Sequence, residues 1–246
     1  MNFVVNNTTK CGVLDLLCPH TCRGCGQLGA VVCERCKKNL IMPALRVCPL
    51  CQQLLADVVK NDATWQDYRC KDCEMPFEAL FVAGWREGLL AKLVKEYKYQ
   101  AIWAIQQVLT EVLNRAIPNL PENTVVVPLP TVARHVRERG LDHTLRLAKA
   151  LAKKRGWKCQ KTLARAADTV QVGTKAAERH TQAKKAYMVA KTPREEVNYL
   201  LLDDVWTTGA SMLAAVEVLR AAGANRVMGV VIVMGRDKAI EQQKAC

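Results

Sequence analysis

The stretch Tyr199–Ser211, Tyr-Leu-Leu-Leu-Asp-Asp-Val-Trp-Thr-Thr-Gly-Ala-Ser, constrains the fold of this 246-residue chain more than any other. Tyr199, Leu200, Leu201 and Leu202 form an unbroken apolar run, which predicts a strand covered on both faces, as in a parallel sheet. Asp203 and Asp204 follow, then small and hydroxyl residues around Gly209. From Met212 onward, Leu213, Val216, Leu219 and Arg220 recur at helical spacing. The order is strand, tight loop, helix. The first turn of such a helix carries unpaired N–H groups and the positive end of the helix dipole. With Gly209 allowing close approach, it forms a cradle for a phosphate.

Two carboxylates beside an anion cradle repel each other unless something engages them. A ligand with a phosphate at one end and vicinal hydroxyls a few ångströms away resolves the conflict, because carboxylates accept hydrogen bonds from both hydroxyls of a ribose. The stretch therefore predicts a binder of ribose 5-phosphate groups.

Leu201-Leu-Asp-Asp-Val-Trp-Thr-Thr-Gly-Ala-Ser211 resembles the phosphoribosyl pyrophosphate (PRPP) loop of type I phosphoribosyltransferases. That resemblance implies that Asp203 and Asp204 hold the ribose hydroxyls and that Thr207, Thr208, Gly209, Ala210 and Ser211 wrap the 5-phosphate. It also implies Mg2+ bound together with PRPP.

The N-terminal part is dominated by cysteine. Of 12 cysteines, eight fall in Cys22-x-x-Cys25, Cys33-x-x-Cys36, Cys48-x-x-Cys51 and Cys70-x-x-Cys73. This spacing lets a turn present two thiolates to one tetrahedral ion, and eight thiolates make two structural zinc sites. Disulfides suit exported proteins. The N-terminus lacks a basic region followed by an apolar core, so we expect a cytoplasmic chain and zinc. Cys22, Cys25, Cys33 and Cys36 form the expected first set and Cys48, Cys51, Cys70 and Cys73 the second, with a cross-braced arrangement as the alternative. Cys11 and Cys18 lie outside the pattern. The expected division is a zinc-binding module over 1–76 and an α/β domain over 77–246.

Along that domain the pattern predicts a strand at 79–84, helices at 88–99 and 101–117, and a strand ending at Val127 before Pro128 and Pro130. A helix at 144–154 and strands at 186–190 and 227–234 follow. Strands alternating with helices define a parallel sheet with helices on both faces. The polar stretch 161–182 fits a mobile lid. No apolar run reaches the ~20 residues of a membrane span.

Charge is uneven. The chain carries 36 Lys and Arg against 23 Asp and Glu, and residues 131–195 alone hold 17 basic against 5 acidic. A basic face suits a polyphosphate or a nucleic acid, and equally a solvated surface. Arg134, Arg137, Arg139, Lys153, Lys154 and Arg155 are the candidate contacts for single-stranded DNA, beside the PRPP site. Trp206 is either a platform for a base or a core residue.

Four Cys-x-x-Cys pairs ahead of such a domain resemble the ComF family. Val127-Pro-Leu-Pro130, Arg137-Glu-Arg-Gly-Leu-Asp-His143 and the Arg165–Arg179 segment extend the resemblance over about Cys22–Gly235. Leu141, Asp142 and His143 stand where Phe, Asn and Gln are usual, Asp168 where the lid has Thr, Thr174 where Leu is usual and Gln182 where Asn is. The resemblance implies PRPP binding, a role in natural transformation with single-stranded DNA and other uptake proteins as partners, and a turn at Pro128, Leu129, Pro130 and Thr131 that holds the pyrophosphate. Any transfer would use Asp203, Asp204, Arg165 and Arg179. An active phosphoribosyltransferase of nucleotide salvage is the alternative.

Overall fold

A computed structural model describes residues 20–41, 45–53, 55, 64–100, 103–166 and 186–236. Cys11, Cys18, most of the expected lid with Arg179, and residues 101–102 of the second expected helix lie outside them. After the short helix α1 (Glu34–Leu40) and a single 3-10 turn (Trp65–Tyr68) come β1 (Leu80–Trp85), α2 (Gly88–Gln100), α3 (Trp103–Ala116), β2 (Thr124–Pro128), α4 (Ala133–Arg139), α5 (His143–Arg155) and β3 (Lys158–Cys159). Then follow β4 (Leu163–Arg165), β5 (Tyr187–Val189), β6 (Asn198–Trp206), α6 (Ala210–Ala221) and β7 (Arg226–Met234).

Five strands form one all-parallel sheet in the order β1-β7-β6-β2-β3. β6 is its middle strand, as the apolar run at Tyr199–Leu202 requires. Side chains alternate across a strand, so Leu200 and Leu202 join one core with Leu93 and Tyr97 of α2, Leu109 of α3 and Leu151 of α5. Tyr199 and Leu201 join the other with Met212, Val216 and Leu219 of α6. Helices therefore cover both faces.

Three elements differ from expectation. β6 does not stop at Leu202: Asp203, Val205 and Trp206 still pair with Val231, Val233 and Met234 of β7. β2 includes Pro128, paired with Leu202. β3 aligns only with Val125 and Val126, so the N–H that proline lacks has no strand to meet. Tyr187–Val189 forms a two-stranded antiparallel ribbon with the unforeseen β4, separate from the main sheet. These strands are too short for a periodic signal.

The cysteine-rich segment packs directly on the domain. Leu45 bridges Val82 of the edge strand β1. Val31, Val32 and Tyr68 enter one core, and Val47 the other. Arg23 pairs with Glu96 of α2 at 2.8 Å, and Lys92 Nζ donates to the Arg23 carbonyl at 3.1 Å.

Helix direction divides the basic cluster. α5 starts at the sheet's carboxyl edge and runs back along it, advancing roughly 15 Å from His143 to Lys153. Lys153, Lys154 and Arg155 thus lie away from that edge. Arg155 turns inward: its guanidinium donates to Asn114 Oδ1 (2.6 Å) and to the carbonyls of Asn114, Ile117 and Pro118, and stacks over Trp157. It closes the C-terminus of α3. Lys154 pairs with Glu111 at 2.7 Å. Arg155→Met should cost about 2 kcal/mol by stranding those carbonyls. The expected readout is a fall in Tm of roughly 4–8 °C in a thermal melt.

Candidate functional site

The site gathers at the carboxyl edge of the sheet, where parallel α/β proteins place ligands. β2 pairs with β6 only as far as Leu202, so Asp203 and Asp204 project beyond β2 with β7 on one side alone. The Leu129 N–H then ties the turn after β2 to the Leu202 carbonyl at 2.9 Å. This brings Pro128, Leu129, Pro130 and Thr131 beside the acids. Thr131 Oγ1 donates to Asp142 Oδ1 at 3.2 Å, and the same carboxylate caps α5 by accepting from the Leu145 N–H at 3.0 Å.

The loop after β6 encloses a cavity of about 50 Å3 lined by Asp203, Val205, Thr207, Thr208, Ser211 and their neighbours. That is several times the space one water needs. The first turn of α6 contributes Ala210, Ser211 and Met212 to the wall. Gly209, the N-cap, has φ +76, and a Cβ there would overlap the Trp206 indole. The glycine is thus required by the indole beneath it as well as by the turn. Trp206 itself is buried and meets Phe77 edge-on at 6.2 Å. Of its two expected roles, the structure places it in the core.

The two acids part company. Asp203 lines the cavity. Its residue surface is half-buried but its carboxyl is enclosed, and it accepts from the Asp204 N–H at 2.8 Å. Burial, and then repulsion from Asp204, push its pKa up to about 7. Asp204 is not among the cavity residues; it turns to α2 and meets Lys98 Nζ at 2.7 Å, with 13% of its side chain exposed. Sequence reasoning missed Lys98, which reads only as another base in the last turn of an amphipathic helix.

Around Asp204 lie further groups from α2, α4 and α5. His143 is buried, and its ring stands edge-on to Tyr97 at 5.0 Å. Burial, then the nearby Arg139 guanidinium, hold its pKa below the ordinary value. Its Nε2 has no hydrogen-bond partner among the described residues. Arg139 stacks over the exposed ring of Tyr99 at 5.4 Å. Arg134 pairs with Glu138 at 2.6 Å on α4, a helix with no buried residue, which also carries Arg137. On the opposite side, Arg165 donates to the Pro130 carbonyl at 3.3 Å and stacks over Tyr187, whose hydroxyl lies in hydrogen-bond contact with Ser211. The β4–β5 ribbon is thereby joined to both loops of the site.

The cysteines form the two sets that run in sequence order, not a cross-braced pair. Within Cys22, Cys25, Cys33 and Cys36, and within Cys48, Cys51, Cys70 and Cys73, all sulfurs lie within 4.8 Å of one another. Cys25–Cys33 and Cys51–Cys70 sulfurs are 3.6 and 3.9 Å apart. A tetrahedron with Zn–S bonds of ~2.3 Å has edges of ~3.8 Å, so both sets fit a metal ion of that kind. The two knuckles repeat one turn: the N–H of Cys22 donates to the Gln27 carbonyl and that of Gly26 to the Cys22 carbonyl, as Cys48 does to Gln53 and Gln52 to Cys48. Gly26 and Gln52 both hold positive φ there. Gln52 accepts this backbone strain while its side chain donates to the Gly235 carbonyl at 3.0 Å, tethering the second knuckle to the end of β7.

No profile of a known protein family matches the chain, and no curated protein does. Solved structures do match. The adenine phosphoribosyltransferase of Saccharomyces cerevisiae, complexed with adenine and an imino-altritol bisphosphate, is 16% identical over 63% of this chain and 95% of its own, with a TM-score of 0.37. The orotate phosphoribosyltransferase of Aeropyrum pernix is 19% identical over 58% of this chain and 69% of its own, at 0.33. The glutamine PRPP amidotransferase of B. subtilis is 17% identical over 56% of this chain, at 0.39, and the chain spans only 30% of its length. All three likenesses are distant. Among the described residues no helix is long and apolar enough to cross a membrane.

Proposed function

We propose that the chain binds PRPP with Mg2+ at the carboxyl edge of its sheet, in the manner of a phosphoribosyltransferase, and that its two cysteine sets hold structural zinc. The observation that carries the reading is the cavity in which a carboxyl group, Asp203, and a phosphate-sized loop at a helix N-terminus meet. Anion and hydroxyl recognition are thus one ribose apart. The 5-phosphate sits on Thr207–Ser211, and Asp203 and Asp204 accept from the ribose hydroxyls. The turn Pro128–Thr131 faces the pyrophosphate. Carboxylate oxygens and ligand phosphates are the donor set that Mg2+ favours, and the ion, when bound, supplies charge neutralisation for the pyrophosphate.

Transfer, where an acceptor is present, is a displacement at the ribose anomeric carbon with pyrophosphate leaving. Arg165, which donates to the Pro130 carbonyl, would offset that charge, with Arg179 as its expected companion. The ComF-like sequence layout supports a role in natural transformation. There single-stranded DNA would lie along Arg134, Arg137 and Arg139 rather than Lys154 or Arg155, which the fold has already engaged.

The test is calorimetric titration with PRPP and, separately, with single-stranded DNA, each with and without Mg2+. Saturable Mg2+-dependent binding of PRPP is expected, and its absence would sink the reading. The dependence on pH is specific. The ionised form of Asp203 accepts most strongly from the ribose hydroxyls and is the form favoured beside Mg2+, whereas in the free protein burial, and then Asp204, push its pKa up to about 7. Binding should therefore release a proton, and affinity should rise between pH 6 and 8. Titrations in buffers of different ionisation enthalpy count that proton. For stability the sign is opposite. A folded pKa raised above the unfolded value of about 3.9 gives a contribution that is present in full below that value. It is lost as pH rises through about 7.

A further inference from the structure

Lys98 is a cation built into the site. Its Nζ lies 2.7 Å from Asp204 Oδ2, with the lysine side chain 25% and the aspartate 13% exposed. It is held there from behind. Two and six residues earlier on α2, Glu96 and Lys92 grip Arg23 of the first cysteine knuckle, and Tyr97, the residue before Lys98, packs against His143 of α5. The helix end therefore cannot drift, while the four-carbon stem of Lys98 keeps its own freedom to turn.

Which direction it can turn follows from the two acids. Asp203 faces the cavity under the α6 loop, and Asp204 turns to Lys98 of α2, close enough to His143 at the start of α5 to act on its charge. A ligand whose 5-phosphate fills the cavity must send its other end past Asp204. On that side the charges of Arg146, Asp142 and Asp204 act on Tyr97, and those of Arg139, Asp204, Asp142 and Lys98 act on His143. Asp142 is already committed to Thr131 and to the cap of α5. His143 Nε2 remains buried and without a partner among the described residues, as in a site whose last polar contact arrives with a ligand.

We propose that Lys98 is the residue by which this site recognises the pyrophosphate end of its ligand: it neutralises Asp204 while the site is empty and passes to the pyrophosphate when the ribose hydroxyls take the carboxylate. This rests on the PRPP reading above. An ammonium exchanging one oxyanion for another keeps its charge compensated throughout, so the exchange avoids stranding a partly buried carboxylate. A ribose 5-phosphate that lacks the pyrophosphate offers no such exchange. It must separate Lys98 from Asp204 with nothing in return. Lys98 thus favours the complete ligand and penalises the truncated one.

The experiment measures the affinities of the zinc-loaded full chain for Mg2+–PRPP and for ribose 5-phosphate, by calorimetry, in the wild type and in Lys98→Met, Lys98→Gln and Lys98→Arg. In Lys98→Met and Lys98→Gln, PRPP affinity is expected to fall about tenfold or more. Affinity for ribose 5-phosphate should hold or rise, collapsing the ratio between the two. Lys98→Arg should restore most of that ratio. Equal losses for both ligands would reduce Lys98 to a structural role and overturn the proposal, as would unchanged PRPP affinity in a folded variant. Failure of the wild type to bind PRPP would instead overturn the reading on which the proposal stands. Melting curves confirm folding, and Lys98→Gln keeps a polar partner for Asp204 if Lys98→Met does not fold.

Discussion

Cys48→Ser should remove one zinc ion per chain from an expected two and lower the melting temperature by about 10 °C or more. The physical reason is the poverty of the second knuckle. Its own buried cluster consists of Cys48, Cys70 and Leu55, with Cys51 and Cys73 packed against it. Among the described residues, Leu55 alone joins the ligands in that core. Metal binding therefore supplies its folding free energy, of order 10 kcal/mol in small thiolate sites, and a three-ligand site retains only part of it. The loss would propagate. Val47, next to Cys48, is buried in the α6-side core, and Gln52 tethers the same knuckle to Gly235 at the end of β7. Loosening the knuckle uncovers the edge of the sheet as well as the knuckle. At 2–4 °C per kcal/mol for a chain of this size, even a few kcal/mol gives the stated shift. Elemental analysis and a thermal melt check both parts. Cys159→Ser is the control: Cys159 belongs to neither set, so zinc content should not change. A Cys48→Ser protein with undiminished metal would refute the assignment.

What could be read from the chain beforehand depended on how local the cause was. The apolar run at Tyr199–Leu202 announced a central parallel strand because burial on both faces leaves no polar position to alternate with. The Cys-x-x-Cys pairs announced two four-cysteine sites, because metal ligation imposes a fixed spacing on a short turn, but not which pairs share a site; the structure groups them in sequence order. The end of β6 was not legible. Acids at a strand terminus look like a loop, and only the register with Val231 and Val233 of β7 keeps Asp203 and Val205 in the ladder. The partners of Arg155 were hidden for a related reason. Three consecutive bases at a helix end read as a surface cluster, and nothing local reveals that the carbonyls of Asn114, Ile117 and Pro118 are waiting for one of them. Lys98 was invisible because its partner is more than a hundred residues away, on a strand whose facing depends on the pleat. β3 and β4 escaped because two or three residues carry no period, and the strand expected at 186–190 gave no sign that it would pair with β4 rather than join the main sheet.

The pairing of the two acids gives the sharpest expectation at the site. Asp203→Asn and Asp204→Asn should each weaken Mg2+–PRPP binding by roughly 10- to 100-fold, the worth of one charge-assisted hydrogen bond of about 1.5–3 kcal/mol, and together they should abolish it. Their effects on stability should run in opposite directions. Asp203 is an enclosed carboxyl whose charge is opposed by burial and by Asp204, so Asp203→Asn removes an unfavourable charge. The variant should be more stable than the wild type at pH 8. It should also lose the decline in stability that the wild type shows as pH rises toward 7, and the proton released on PRPP binding. Asp204 is the anion of a close pair with Lys98, so Asp204→Asn leaves an ammonium three-quarters covered and without its carboxylate. That variant should be less stable than the wild type at every pH where Lys98 is charged. Chemical denaturation at pH 5 and pH 8, beside calorimetry with PRPP, separates the two. If both substitutions shift stability in the same direction, the carboxylates share one environment and the division of the acids between the two faces of β6 is wrong. If both leave PRPP affinity unchanged while the protein remains folded, the carboxyl edge of the sheet is not a ribose site, whatever binds in the cavity beside it.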